Sequence, residues 1–297
     1  MVTYLQTRLR RIPASLSRIL TSQMQVARLA ASNRFTTSTA VTPGGPIVSL
    51  TSYGERMKKV YLTIESIALG NLLPSRLILW LQDENLFRNP PAALARLAKR
   101  GVEVRFANNF GPHTKYYPYL EISDTFNSPL VTADDDILYP RDWLEKLVLA
   151  FRERPDVVNC YRARVIPFLQ NGLAKYNQWE LCDSADASFR HFATGVSGVI
   201  YPPALLASIK KAGRAFELCC PKADDIWLHA QALRAGYKVR QIVPKALHFT
   251  VRPGTQKTAL EDSNRNASDA ANDRQAMLTY SEPDLEKIFG AAPCSKS

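Results

Sequence analysis

From Pro46 onward the chain alternates short β-type stretches with helix-type stretches, and this alternation constrains the fold more than any other feature. "PIVSLTSY", "RLILWLQ", "VEVRFA" and "PLVTADDD" read as four strands. Between and after them come "ERMKKVYLTIESIALG", "PPAALARLAKRG", a short "KYYPYLEIS" interrupted by Pro118, and "PRDWLEKLVLAFRERP", with the periodicity and terminal Pro and Gly of helices. Strands separated by helices pair in parallel and need cover on both faces. The prediction is an α/β domain with a mostly parallel central sheet. Further on, "DVVNCYRARVI", "SGVIYPP" and "YKVRQIV" read as strands, and "PALLASIKKAG" and "ADDIWLHAQALRAG" as helices closed by glycine. There are no internal repeats and no linker, so one domain is expected over residues 45–290. Residues 254–274 are polar and read as a mobile lid within it.

Residues 1–44 stand apart. They hold six arginines (Arg8, Arg10, Arg11, Arg18, Arg28 and Arg34) and no acid, whereas the net charge of the 297-residue chain is +11. Leu5, Leu9, Ile12, Leu16 and Ile19 share a helical face that Pro13 interrupts. Three readings are open: a disordered extension or mis-assigned start, a basic helix lying on a membrane surface, or an organelle transit peptide. Because the pattern starts at Pro46, deleting residues 1–44 is expected to leave folding intact. No apolar run approaches the ~20 residues of a membrane span. Five cysteines without paired spacing disfavour a zinc site or disulfide framework and fit a reducing, cytoplasmic setting. A membrane-surface segment would make the protein peripheral on the inner face.

The chemistry gathers where strands end. In open α/β sheets, ligands bind beyond the carboxyl ends of the strands. Asp134, Asp135 and Asp136 follow the fourth strand, where a divalent cation would relieve their repulsion. Mn²⁺ or Mg²⁺, with oxygen ligands and diphosphate oxygens, suits such a cluster. The alternative is an acidic turn capping the next helix, with Asp142 near the helix start. Asp224 and Asp225 open a later helix, either as caps or as a general base at the same cleft. His113, Lys115, Tyr116, Arg162, Arg164, His248, Arg252 and Lys257 fall near strand ends, where cations would neutralise a leaving diphosphate, and His248 is a candidate third metal ligand.

In this order, "SLTSY", "WLQDE", "TADDD", "GVSGVIYPP" and "ADDIWL" resemble a GT-A-fold (Rossmann-like) nucleotide-sugar glycosyltransferase, closest to bacterial family 2 enzymes of surface polysaccharide synthesis. The resemblance spans residues 46–250. It implies that Thr51, Ser52, Tyr53 and Asp83 contact base and ribose. It implies that Asp134 touches ribose or a metal water and that Asp136 binds the metal. It places Asp225 at the basic position of the acidic pair, with Gly195, Ser197 and Gly198 lining the acceptor side. The first strand lacks the proline-threonine-tyrosine-asparagine form, and the acidic pair is Asp-Asp instead of Glu-Asp. The implied reaction is an inverting transfer from a UDP-linked donor to a glycan or lipid-linked acceptor. One rival reading is a nucleotidyltransferase or pyrophosphatase, although "TSYGERMKK" only faintly imitates a phosphate loop. Others are a basic RNA-binding protein, against which no RNP-like stretch occurs, and a sugar-binding relative without turnover. Nucleic acid is therefore not an expected partner.

Overall fold

A computed structural model describes residues 14–169, 172–253 and 265–290. The centre is an eight-stranded sheet. Strands β1 (Ile47–Ser52), β2 (Arg76–Leu81), β3 (Val102–Phe106) and β4 (Leu130–Thr132) form its parallel half, in the order β4-β1-β2-β3. The strand Val199–Tyr201 then runs antiparallel to β4 and links it to a second group. After the two-residue β5 (Ile137–Leu138), that group contains β6 (Val158–Cys160), which pairs in parallel with Val239–Gln241. Ala187–Ser188 closes this edge antiparallel. "DVVNCYRARVI", expected as one strand, divides into β6 and β7 (Ala163–Val165), which belong to different sheets.

Period-two alternation sends the two faces of β2 into separate cores. Leu77, Leu79 and Leu81 pack in one cluster, and Ile78 and Trp80 in the other. The first cluster is covered by α2 (Val60–Ala68), α4 (Ala92–Lys99) and α6 (Trp143–Glu153), where α3 (Glu84–Arg88) is a short turn before α4. The second is covered by α5 (Tyr117–Ile122), α7 (Pro203–Ala212), α8 (Phe216–Cys219) and α9 (Asp224–Arg234). Pro118 does not break α5. It occupies the first turn, where a missing N–H costs no helical bond.

Two expectations change. The part of the lid expectation that falls on residues 265–274 is helical, within α10 (Arg265–Thr279), and α11 (Glu282–Phe289) follows. There Asp273 Oδ1 accepts from the Tyr176 N–H at 2.6 Å, and Gln275 Oε1 from the Lys222 N–H at 2.7 Å. Residues 254–264 lie outside the described residues, as does Lys257.

The second change concerns the N-terminal segment, whose residues 1–13 also lie outside the description. Helix α1 (Ala14–Phe35) packs against α2 and α4, so the domain begins before Pro46. Leu29 is buried with Leu62 of α2 and Leu138 of β5. Asn33 Nδ2 donates to Glu65 Oε1 at 3.0 Å, Ser32 Oγ donates to Glu65 Oε2 at 2.9 Å, and Arg100 Nη1 donates to Glu65 Oε1 at 2.6 Å. Glu65 is fully buried, so an unpaired charge there would be costly and each of these donors matters. Sequence periodicity places Glu65 on α2 but cannot show that its partners come from α1 and from the end of α4.

The expectation that residues 1–44 can be deleted without loss is therefore replaced. Leu29→Ala should lower unfolding free energy by about 2–5 kcal/mol, the range for truncating a buried leucine. Asn33→Ala should cost about 1–3 kcal/mol by removing a donor from buried Glu65. Urea unfolding of each variant measures both, and deletion of residues 1–44 should lower the midpoint further than either.

Candidate functional site

The site is built where β1 and β4 end. Their parallel register sets Ser49 opposite Thr132, so three residues on Ser52 comes level with Asp135. The Ser52 hydroxyl donates to Asp135 Oδ2 at 2.5 Å, and Thr63 Oγ1 donates to the Asp135 carbonyl at 2.9 Å. Arg56, from the turn after β1, donates through Nη1 to Asp135 Oδ1 at 3.1 Å and pairs through Nη2 with Asp136 Oδ2 at 3.3 Å. Asp135 is thus the inward, structural member of the triplet. Ser52 is fully buried and spends its hydroxyl on Asp135, so the expected nucleotide contact through that group is not available to it.

Asp134 and Asp136 are less buried than Asp135. The Asp134 N–H donates to the Tyr139 hydroxyl at 2.9 Å, and the Tyr139 N–H donates to Ser66 Oγ at 3.0 Å, which fixes the turn. Asp134 Oδ1 accepts from Lys115 Nζ at 3.0 Å. Burial, then Asp134, pushes the Asp136 carboxyl up to about 6, and Asp135 adds to this, while Arg56 and Arg252 pull it back. Arg252, expected near the diphosphate, is buried beside Asp135 and Asp136, and its N–H donates to the Asp136 carbonyl at 2.6 Å.

Lys115 also reaches the second acidic pair, with Nζ 3.1 Å from Asp224 Oδ2. Burial works against its charge, but Asp134, Asp224 and Asp225 together hold its pKa above the ordinary value. Asp225, partly exposed, accepts from the Gly195 N–H at 3.1 and 3.2 Å through its two oxygens. Burial and then Asp224 raise its carboxyl to about 7, against the opposing pull of Lys115 and the Gly195 N–H. A Cβ at position 195 would stand 3.1 Å from Asp225 Oδ1 and 3.3 Å from Lys115 Nζ, so any larger residue would press on both side chains. At an effective dielectric of ~20, each ion pair at about 4 Å is worth ~4 kcal/mol, enough to oppose repulsion among the carboxylates.

The other sequence candidates are placed differently. Thr51 Oγ1 donates to the Trp80 carbonyl at 3.1 Å. Tyr53 is exposed at the mouth of β1, with Arg56 over its ring. Asp83 caps α3, accepting from the Leu86 N–H at 3.0 Å. Ser197 and Gly198, expected on the acceptor side, face the core. Ser197 Oγ donates to the Leu247 carbonyl at 2.7 Å, and Gly198 (φ 96°) lies against the Trp143 ring, where a Cβ would come within 2.7 Å. His113 is fully buried and neutral in character, between the Cys220 carbonyl at 2.7 Å and the Tyr116 hydroxyl at 2.8 Å. Arg164 binds the Trp179 carbonyl, and Arg162 binds Thr194 Oγ1 at 2.8 Å beside Gly195. His248 is exposed. Among the described residues no group of three or more His, Cys, Asp or Glu side chains converges as a ligand set, so His248 does not complete one.

Two carboxylates, Asp134 and Asp136, still fit a hard cation. Mg²⁺ and Mn²⁺ are commonly held by one or two carboxylates plus phosphate oxygens and water. Burial first and Asp134 second press the Asp136 carboxyl upward, and a bound cation would oppose both. Reading the residues in order missed Arg56 and Tyr139. The available signal was an arginine four residues past the end of β1 and a tyrosine three residues past the triplet.

No family model matches this sequence, and no curated protein matches it. Solved structures do. Mannosyltransferase PcManGT from Pyrobaculum calidifontis, in complex with GDP-Man and Mn²⁺, is similar over 92% of this chain and 76% of its own, at 14% identity and a TM-score of 0.49. TarS 1-349 of S. aureus is similar over 65% of this chain and 57% of its own, at 15% identity and a TM-score of 0.43. A 4-diphosphocytidyl-2C-methyl-D-erythritol synthase from Anaerococcus prevotii is similar over 74% of this chain and 96% of its own, at 14% identity and a TM-score of 0.47. Glycosyl and nucleotidyl transferases thus stand side by side among the similar structures. Likeness at this level carries no activity across, and the reading of the site rests on its own geometry.

The electrostatics give a test without substrate. The Asp225 carboxyl is raised in the folded protein, so the folded state binds the extra proton between pH about 4 and about 7. Stability from this group is therefore lost as pH rises through that window. Asp225→Asn should flatten the loss and raise unfolding free energy at pH 8 by about 1–3 kcal/mol in metal-free buffer. Urea unfolding at pH 5 and pH 8 checks the sign. An equal effect at both pH values would show that Asp225 ionises normally.

Proposed function

We propose that this chain is a metal-dependent, inverting glycosyltransferase. It moves a sugar from a UDP-linked nucleotide donor to a hydroxyl of a glycan or lipid-linked acceptor, with surface polysaccharide as the class of product. The observation that carries the reading is the junction at Lys115. Asp225, whose carboxyl is raised to about 7, is joined through Asp224 and Lys115 to Asp134 beyond β4. A base tuned near the working pH is what proton removal from a hydroxyl requires.

Asp225 takes the proton from the acceptor hydroxyl. The hydroxyl oxygen attacks the anomeric carbon, the bond from that carbon to the diphosphate oxygen breaks, and nucleoside diphosphate leaves. Asp224 shares Lys115 with Asp134 and orients the start of α9. Asp136 would hold the Mn²⁺ or Mg²⁺, and Asp134 the ribose or a metal-bound water. The cation would supply charge neutralisation for the departing diphosphate. Tyr53 and Asp83, exposed beyond β1 and β2, are the nucleoside-facing candidates. Residues 1–44 would add contact with an anionic membrane surface on the cytoplasmic side. Among the described residues no helix is long and apolar enough to cross a membrane.

One observation favours a second reading, nucleotidyl transfer. Arg56 comes from the turn directly after β1 and meets Asp135 and Asp136, where a phosphate-handling cation would be needed. The products separate the two: glycosyl transfer releases nucleoside diphosphate, and nucleotidyl transfer releases pyrophosphate.

Asp136→Ala should weaken Mn²⁺-dependent nucleotide binding and abolish transfer together. Asp225→Asn should keep nucleotide binding while transfer falls about 10²- to 10⁴-fold, the scale of a positioned acid or base. Calorimetry of nucleotide binding beside transfer to an added acceptor reads both. Near-normal transfer by Asp225→Asn would remove Asp225 from the mechanism and make Asp224 the next carboxylate to test.

A further inference from the structure

Asp134 and the Asp224–Asp225 pair belong to different parts of the chain, and Lys115 touches both. The root of this lysine is pinned. Its carbonyl accepts from Ser49 Oγ at 2.7 Å, and Ser49 Oγ in turn accepts from Trp80 Nε1 at 2.9 Å. Its ammonium lies against Gly195, the residue whose N–H feeds Asp225. We propose that Lys115 is a positioning residue: its ammonium fastens the donor-side carboxylate Asp134 to the Asp224–Asp225 pair and favours the ionised form of Asp225 that accepts a proton. The catalytic consequence rests on the transferase reading above, but the electrostatic link does not.

Lys115 is a cation that pulls the Asp225 carboxyl down against its acidic neighbours. From α9 Asp225 faces Asp224, and His229 lines a cavity of about 10 Å³ with it. From the other elements it faces Asp134, Tyr201 and Cys160. Arg162 binds Thr194, next to Gly195. Burial raises the Tyr201 and Cys160 groups and lowers His229 to about 4, so all three are neutral near pH 7. Asp224 and Asp134 disfavour a charge on Asp225. Lys115 favours it, and without the ammonium the repulsion among the three carboxylates would go unopposed by Lys115. A surface lysine would bind a leaving phosphate equally well. A lysine held by two carboxylates and pinned at its carbonyl is already engaged before any donor arrives.

The test uses metal-free full-length protein labelled with ¹³C at the aspartate carboxyls, with the Asp225 signal identified by its loss in Asp225→Asn. In wild type the signal should titrate near pH 7. In Lys115→Met the midpoint should rise by about one unit or more, and in Lys115→Arg it should stay near wild type. A Lys115→Met protein that folds, by circular dichroism, with an unchanged midpoint overturns the proposal. If Lys115→Met does not fold, Lys115→Gln takes its place with the same two outcomes. In transfer assays Lys115→Met should lower kcat about 10²-fold with donor KM little changed, and Lys115→Arg should recover most of it. A loss confined to donor KM would make Lys115 a diphosphate ligand and overturn the positioning role. A midpoint shift in Lys115→Met beside wild-type protein that consumes no nucleotide sugar would remove the transferase reading and leave the electrostatic link standing.

Discussion

The contact between one buried ammonium and carboxylates from two distant stretches of chain holds the site together. Asp134, Asp135 and Asp136 crowd the end of β4, and Asp224 and Asp225 crowd the start of α9. Five carboxylates so placed would repel one another, and the protein answers with three cations from three other segments. Lys115 spans the two groups, Arg56 meets Asp135 and Asp136, and Arg252 lies behind them. The balance is incomplete. Asp136 and Asp225 remain pushed up, to about 6 and about 7. A site that keeps such strain gives up some stability for groups that can bind a cation or take a proton near neutral pH.

The triplet also shows how neighbouring identical residues divide their work. Asp135 turns inward to Ser52 and Arg56, while the less buried Asp134 meets Lys115 and Asp136 meets Arg56. Asp135 and Asp136 lie in the turn between β4 and β5, and Tyr139 braces that turn through the Asp134 N–H. The bland reading of the triplet as a helix cap is not what the structure shows. Asp142 is at the N-cap of α6, and no side-chain capping bond forms there.

A second ionic group lies on α2, the helix that also contacts the candidate site. Glu65, fully buried in α2, accepts from Arg100 and from Ser32 and Asn33 of α1. Thr63, two residues earlier on the same helix, holds the Asp135 carbonyl. Helix α2 therefore carries a polar contact towards α1 and another towards the candidate site. The basic N-terminal stretch is, from its described part onward, a packed component of the domain and not an appendage.

The sequence by itself determined the layered architecture. Alternate residues such as Leu77, Ile78, Leu79 and Trp80 must go to opposite faces, and helical spacing such as Val60, Ile64 and Ile67 must cover them. These are local periodicities, legible one segment at a time. It also marked both acidic clusters, because carboxylates at the end of an apolar strand are conspicuous. Only the tertiary structure decided which side chains meet. The antiparallel insertion of Val199–Tyr201 and the split of "DVVNCYRARVI" between two sheets depend on strand pairing across long stretches of chain. Ser197, Gly198 and His113 read as site residues and proved to be core, because their partners Leu247, Trp143 and Cys220 are remote in sequence. Lys115 was one cation among several until folding set it within about 3 Å of Asp134 and Asp224. Electrostatic interaction depends on distance and burial, and neither is written in the order of the residues.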